Sequence, residues 1–521
     1  MKKIHINQLG YRPTDTKKAA ITFDTPRFSV IRESDKKIMF RDYIKPAIND
    51  AASGDTVRVG DFSYLSERGL YFIKAIDKEG DIAEESYPFV IADEPYKEMR
   101  RALLDFFHYQ KCGADLECGK WSHPACHTSE ATIYGTNIKK DVSGGWHDAG
   151  DYGRYIVPAA KTITDLLLTH ELAPNPDEGI LNIVWYEIEW MLKMQDAESG
   201  GVYHKVSCKN FNAFDEMPDD EKEELFIMPM SLAATADFAA SIAFASRFYP
   251  DEKDRLLDAA QKAWQWCLNN LEMPSFKNPP DITTGSYGNW LGVDEFYENK
   301  RFWAACELFV ATGDEKYHDY IKESDLFTGL GWSDTGAYGL YAYLTGVGEK
   351  ADEAQIKRMK DSFDSTCLEI IKNYKSDGYG VSLGTTYRWG SNIEVCNNAM
   401  MLLLATKIFP DRVSEHEEIA MEHIHYLLGR NSLSQSYITG FGIQTAENPH
   451  HRPSMAKGEA VPGMVVGGPN MHTKADPDLE AACEGKPPAK CYIDHAGSYA
   501  SNEVTIYWNS PVYFVVAVLD L

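Results

Sequence analysis

At 521 residues the chain exceeds what one hydrophobic core usually supports, so two or more domains are expected. Hydrophobic residues make up 44% and charged residues 25%, the proportions of a globular protein. A formal net charge of −26 excludes nucleic acid and anionic membrane as natural partners, because phosphate binding needs clustered Lys and Arg; a neutral or cationic substrate is compatible.

No apolar run is long enough to span a bilayer. Met1-Lys2-Lys3 leads into an alternating strand and not into the apolar core of an export signal. Two expectations follow: a chain that stays inside the cell, or an exported one whose leader is absent from this sequence. The second is favoured. Residues 1–93 read as β structure. Short alternating runs over 18–23, 56–59 and 69–75 are separated by Gly, Asp and Pro turns, and 88–91 closes the series with its proline at the first strand position. That spacing predicts a small antiparallel sandwich. Ala92-Asp93-Glu94-Pro95 is the expected linker.

From Tyr96 the period changes from two to that of helices. Apolar residues three and four apart predict helices near 97–110, 154–172, 180–195, 229–248, 253–271, 294–312, 332–344, 352–373, 392–408, 412–429 and 501–519, with Gly-, Pro- and Asn-rich loops between them. Paired helices stacked around a centre are the expected architecture, without a fixed-period repeat. Trp185, Trp264, Trp266 and Trp303 fall inside helices and read as core. Trp121, Trp146, Tyr203, Tyr287, Trp290, Trp332, Tyr387 and Trp389 fall in or beside loops, where flat rings suit sugar faces.

The stretch from Gly144 to Tyr155 concentrates chemistry. Asp148 and Asp151 sit three positions apart among glycines and aromatics, poorly placed for core packing and well placed to handle a proton or a water. The bland alternative is a loop whose aspartates cap helices. Nearby, Cys112, Cys126, His127 and His147 offer two thiolates and two imidazoles, enough to close a tetrahedral structural zinc site, with Cys118 and His123 as competing ligands. Cys483 and Cys491 flank a Pro/Lys loop and are candidates for a disulfide in an oxidising compartment. Towards the end, Glu503 opens an apolar tail, where a glutamate also suits a helix dipole, and Glu447-Asn448-Pro449-His450-His451-Arg452 forms a polar loop able to bind hydroxyls.

Together these clusters resemble glycoside hydrolase family 9, the inverting cellulases, in the branch with an N-terminal immunoglobulin-like domain. Asp148-Ala149-Gly150-Asp151 is similar to that family's Asp-Ala-Gly-Asp motif. Its histidine signature resembles the run from Ser436 through Ile438, Thr439, Gly442 and Pro449 to His450 and Arg452, with Gln444 as a departure. Its acid signature resembles the run from Tyr492 through Asp494, Tyr499, Glu503 and Thr505 to Asn509 and Ser510. Trp389-Gly390-Ser391-Asn392 and Ile6-Asn7-Gln8-Leu9-Gly10-Tyr11 also look familial.

The resemblance implies an immunoglobulin-like β-sandwich over 1–93 followed by an (α/α)6 barrel over 96–521. It implies Asp151 as general base, Asp148 sharing its water, and Glu503 as general acid. His450, Arg452, Asp494, Trp389 and Tyr499 would bind or frame the sugar. Cys112, Cys126, His127 and His147 would hold a structural zinc, and calcium is a further expected ion with no ligands assigned. The expected activity is endo-type, inverting cleavage of β-1,4-glucosidic bonds by a monomer, with the two carboxyls roughly 6.5–9.5 Å apart to admit a water. Alternatives on the same scaffold are an exo-acting cellobiohydrolase, a β-glucosidase or a β-glucosaminidase; outside it, a carbohydrate-binding protein with a dead site.

Overall fold

Alternating sequence builds the first layer. In a computed structural model, which describes residues 2–78, 80, 83–288, 297–348 and 352–521, ten short strands form two facing sheets. They are β1 (Ile4–His5), β2 (Gly10–Tyr11), β3 (Lys18–Ile21), β4 (Arg27–Arg32), β5 (Ile38–Tyr43), β6 (Ile48–Asn49), β7 (Thr56–Asp61), β8 (Gly69–Ile76), β9 (Ala83–Glu85) and β10 (Phe89–Ile91). One sheet runs β1-β3-β7-β6; the other runs β2-β10-β8-β4-β5, with β9 also on β8. The period of two is visible in β8, where Tyr71, Ile73 and Ala75 point inward and their neighbours face out. Val30, Phe62, Tyr71, Ile73 and Phe89 fill the space between the sheets.

The helical part is a double ring of twelve helices among the described residues: α1 (Lys97–Tyr109), α2 (Ile156–Leu172), α3 (Ile180–Lys193), α4 (Leu232–Ala245), α5 (Lys253–Asn269), α6 (Glu298–Thr312), α7 (Glu315–Glu323), α8 (Gly336–Gly346), α9 (Glu353–Ser376), α10 (Ser391–Ile408), α11 (Val413–Leu427) and α12 (Ile506–Val518). The even-numbered helices contact one another in sequence, and α12 returns to α2 to close the inner ring. Each odd-numbered helix backs an inner one, α1 against α12 and the others against the helix before or after them. Composition explains the division. In α4 every residue from Leu232 to Ala245 is buried, as befits a helix covered on all sides. In α5 only one face is buried, with Leu256, Ala263 and Trp264 inward.

Several departures from the expected elements bear on the site. Arg154–Tyr155 is a strand and not the start of α2; it pairs with Lys205–Ser207 in a small five-stranded sheet that sequence periodicity did not reveal because its strands are two or three residues long. The last helix begins at Ile506, which leaves Glu503 in extended backbone between it and the short helix Tyr499–Asn502. Helix α7 had no predicted counterpart. Trp146, Tyr203 and Tyr387 are buried core residues and not sugar platforms; Trp290 lies outside the described residues. Among the described residues no helix is long and apolar enough to cross a membrane.

The sandwich is bonded to the barrel through the opening motif. The Gln8 amide oxygen accepts from the Ile443 and Gln444 backbone N–H groups at 2.9 and 2.8 Å, and its nitrogen donates to the Ser434 carbonyl. Tyr87 Oη donates to the Gln444 side chain at 3.0 Å. The residue that departs from the family signature thus makes a contact between domains.

Candidate active site

Backbone hydrogen bonds bring the three chemical clusters together. The Arg452 N–H donates to the Gly150 carbonyl at 3.0 Å, the Ile506 N–H to Asp148 at 2.8 Å, and the His450 N–H to Asn502 at 2.8 Å. A Cβ on Gly150 would lie 2.0 Å from the His450 carbonyl oxygen, so only glycine permits this approach of the loops. Segments more than 300 residues apart in sequence are therefore locked into one mouth of the barrel.

Asp148 is 1% exposed. One of its oxygens accepts from Tyr287 Oη at 2.5 Å, and the other is buried without a partner. Burial drives its pKa well above the usual carboxylate range, and the Asp151 charge adds to that, against the Tyr287 hydrogen bond. Asp151 is also buried; one of its oxygens accepts from the Gly153 N–H at 3.2 Å. Glu503 is half-buried. Desolvation and the charges of Asp151 and then Asp148 raise its pKa well above the ordinary value, opposed by the Trp389 indole N–H and the Arg452 charge. Two acids that favour the proton beside a third carboxylate form a device for moving one proton in and one out.

The other expected residues divide by role. His450 Nδ1 donates to the Ala496 carbonyl at 2.7 Å, which leaves Nε2 as an acceptor, and burial lowers its pKa so that the ring is neutral near pH 7. Arg452 is 2% exposed and donates to the Gly150 and Asn212 carbonyls, both at 3.2 Å; its first task is tying loops together. Asp494 accepts from the Glu447 and Asn448 N–H groups at 2.8 and 2.9 Å and from the Asn502 amide at 3.1 Å, bracing the segments on either side of Glu503. Trp389 and Tyr499 are half-buried, with ring centroids 5.6 Å apart at 39°. Tyr287, read from sequence as a sugar platform, is a hydrogen-bond donor to Asp148.

Sequence reasoning passed over Lys205. Its side chain is buried and donates to Thr284 Oγ1 at 2.9 Å and the Gly285 carbonyl at 2.5 Å, above the Tyr155 ring. Burial pushes its pKa down to about 7, and the Asp151 charge pulls the other way. An alternating pattern around 203–207, with His204 and Lys205 adjacent, was the available signal.

Cys112, Cys126, His127 and His147 gather with all four ligand atoms within 4.8 Å of one another, a group that can hold a metal ion. The two sulfurs are 3.9 Å apart, Cys112 Sγ is 3.6 Å from His127 Nδ1, and Cys126 Sγ is 3.7 Å from His147 Nε2. Glu221 lies 2.8 Å from the far nitrogen of His127, as an orienting carboxylate would. The competitors are elsewhere: Cys118 is half-buried outside this group, and His123 Nδ1 is bonded to the Pro124 carbonyl. No second such group of Asp, Glu, His or Cys gathers among the described residues. Cys483 and Cys491 are free thiols that share one small apolar cluster, against which Trp389 and Tyr499 pack.

A helical double ring with acids facing each other across its mouth, behind an N-terminal sandwich, defines a class of glycoside-cleaving enzymes. The model for glycosyl hydrolase family 9 matches residues 96–516, and that for the cellulase N-terminal ig-like domain matches residues 1–80. The chain belongs to glycosyl hydrolase family 9 and is a glycoside hydrolase of the cellulase type. It is 35% identical to the cellodextrinase of Butyrivibrio fibrisolvens, over 99% of each chain. It is 33% identical to endoglucanase D of Acetivibrio thermocellus, over 99% of this chain and 83% of that one. The structure of a single mutant of the thermostable endoglucanase from Alicyclobacillus acidocaldarius superposes with a TM-score of 0.91 at 36% identity, covering 100% of both chains.

Proposed function

We propose that the protein hydrolyses β-1,4-glucosidic bonds in cellulose-type glucans and their oligosaccharides with inversion, as an endo-acting monomer. The observation that carries this reading is the meeting of a proton-holding Glu503 with the Asp148–Asp151 loop at one mouth of the barrel. Glu503, kept protonated by desolvation and by the carboxylates opposite, donates its proton to the leaving glycosidic oxygen. Asp151 takes a proton from the attacking water, which Asp148 helps to hold. His450, with Nε2 free to accept, receives a sugar hydroxyl, and the Trp389 and Tyr499 rings frame the sugar beside the acid. Arg452 and Asp494 act mainly by fixing the loops that carry these groups.

The four-ligand cluster fits zinc. Tetrahedral coordination with Zn–S near 2.3 Å and Zn–N near 2.0 Å sets ligand atoms roughly 3.3–3.8 Å apart; three of the cluster's pairs are 3.6–3.9 Å apart, and all four atoms lie within 4.8 Å of one another. Four protein ligands leave no position for substrate, so this ion would brace the loop through His147, next to Asp148. Calcium has no such cluster to support it among the described residues. Export of the mature chain accords with a polymeric substrate.

The test is the product profile on cellohexaose, cellulose and chitosan oligomers, with the first-formed anomer identified by NMR. Internal cleavage of cellohexaose to α-anomers is expected. Release of single glucose units from one end, a β-anomer, or preference for chitosan would refute the corresponding part.

A further inference from the structure

The chain between the strands Lys205–Ser207 and Phe226–Ile227 carries two aromatic rings that the mechanism does not use. Phe211 and Phe214 are 48% and 49% exposed, among the most exposed large hydrophobic side chains of the catalytic domain. They are not on a floppy segment. The Asn212 carbonyl accepts from Arg452, the Glu216 carbonyl accepts from Tyr152 Oη at 2.5 Å, and the Thr283 N–H donates to the Lys209 carbonyl at 2.8 Å. The Arg452 guanidinium sits 5.6 Å from both ring centroids, and because Arg452 is almost fully buried it backs the rings from the protein side. Phe214 also meets the His450 ring edge-on at 5.2 Å and 78°.

Between the rings, Asn212 has both side-chain amide atoms buried without a partner. Asn212 and Phe211 line a recess together with Asp151, Ser207 and Thr284. Buried amides normally find partners, so an open pair beside the base points to a group supplied from outside. The residues that follow, Asp215, Glu216, Asp219, Asp220 and Glu221, are acidic and disfavour an anionic ligand. Two fixed, cation-backed rings and an amide with free donor and acceptor capacity suit an uncharged ligand with an apolar face and hydroxyl edges.

We propose that Phe211, Asn212 and Phe214 form a stacking subsite for a glucosyl unit of the bound chain adjoining the one whose bond is cut, on the wall that carries Asp151. This inference rests on the glucan-hydrolase reading. A subsite off the scissile bond acts only on substrates long enough to reach it, so its signature is length dependence.

The experiment compares kcat and KM of the full chain on cellotriose through cellohexaose with those of Phe211→Ala, Phe214→Ala and Phe214→Trp, at matched melting temperatures. Each alanine variant is expected to lose about tenfold in kcat/KM, mostly through KM, on the longer members. The shortest cleaved member should keep its wild-type constants, and Phe214→Trp should restore the longer ones. An equal loss at every length would show that the rings only support His450 and Arg452; no loss at any length would show that they touch nothing. Either result overturns the subsite. Inactivity of the unsubstituted enzyme on the whole series would instead overturn the glucan-hydrolase reading on which it stands.

Discussion

Two sets of largely desolvated carboxylates occupy this barrel, and their partners differ. Within the inner ring, Asp165 of α2 is fully enclosed and receives Lys161 Nζ at 2.7 Å, Tyr338 Oη at 2.5 Å and Ser510 Oγ at 2.7 Å. Asp237 of α4 is likewise enclosed and paired with Lys300 of α6 at 2.6 Å; its other oxygen is bare, and burial raises its pKa to about 6 against the pull of Lys300. At the mouth, Asp148 has one donor and one bare oxygen, and Glu503 faces two other carboxylates. Burial alone therefore does not mark the chemistry, since Asp165 and Asp237 are as buried as Asp148, and Glu503 is only half-buried. A lysine within hydrogen-bond reach marks Asp165 and Asp237 as clamps between helices, whereas the shifts at Asp148 and Glu503 come from desolvation and from neighbouring carboxylates.

The strongest way to break this contrast is to exchange the consequences. Glu503→Gln should lower kcat on cellohexaose by about 10²–10⁴-fold, the range of a general acid, without lowering the melting temperature. Asp165→Asn should do the reverse. It leaves Lys161 buried without its counter-ion and should cost about 3–5 kcal/mol in stability, read by denaturant unfolding, while kcat of the folded enzyme at low temperature is preserved. If Asp165→Asn abolished turnover in folded protein, the division of the acids would be wrong.

The pH dependence sharpens the same point. Because the Glu503 pKa is raised in the folded state, the native chain binds more protons than the unfolded one from about pH 4.5 upward to that raised value. Stability must then fall as pH rises through that window, and activity must be lost on its alkaline side. Melting temperatures measured against pH should show a shallower decline in Glu503→Gln than in the wild type.

The sequence revealed this contrast only in part. Helix periods located all but one of the ring helices, because inner helices are largely apolar and outer ones are apolar along one face. The short α7 had too few residues to show its period. Asp148, Asp151 and Glu503 were found through motifs, yet nothing local announces that Glu503 lies in extended backbone, since the apolar tail around it reads as helix. Lys205 was missed because the alternation around 203–207 is too short to single out one lysine; what sets it apart is its burial and the Asp151 charge, both products of the fold. The metal group was legible as residue types, but the choice of His127 over His123 depends on a chain reversal in which His127 adopts φ 51°, a conformation that no spacing rule predicts.

A smaller effect is expected outside the ring. Glu221→Gln removes the carboxylate that orients His127, and zinc affinity should drop about 10–100-fold in a chelator competition, with kcat unchanged at saturating zinc. A large loss of kcat in the fully zinc-loaded variant would mean that Glu221 belongs to the chemistry.

The smallest predicted change tests the Trp389 donor to the general acid. The Trp389 indole N–H stabilises the charged form of Glu503 and so works against its raised pKa. Trp389→Phe keeps a flat ring beside Tyr499 but removes that donor. The ionised acid becomes less favourable, its pKa rises further, and the alkaline limb of kcat/KM on cellotetraose should move to higher pH by up to about one unit. A limb that moved to lower pH would mean that Trp389 shields Glu503 from water and contributes little as a donor. The direction of that shift separates desolvation from hydrogen bonding at the residue where the mouth of the barrel differs most from its core.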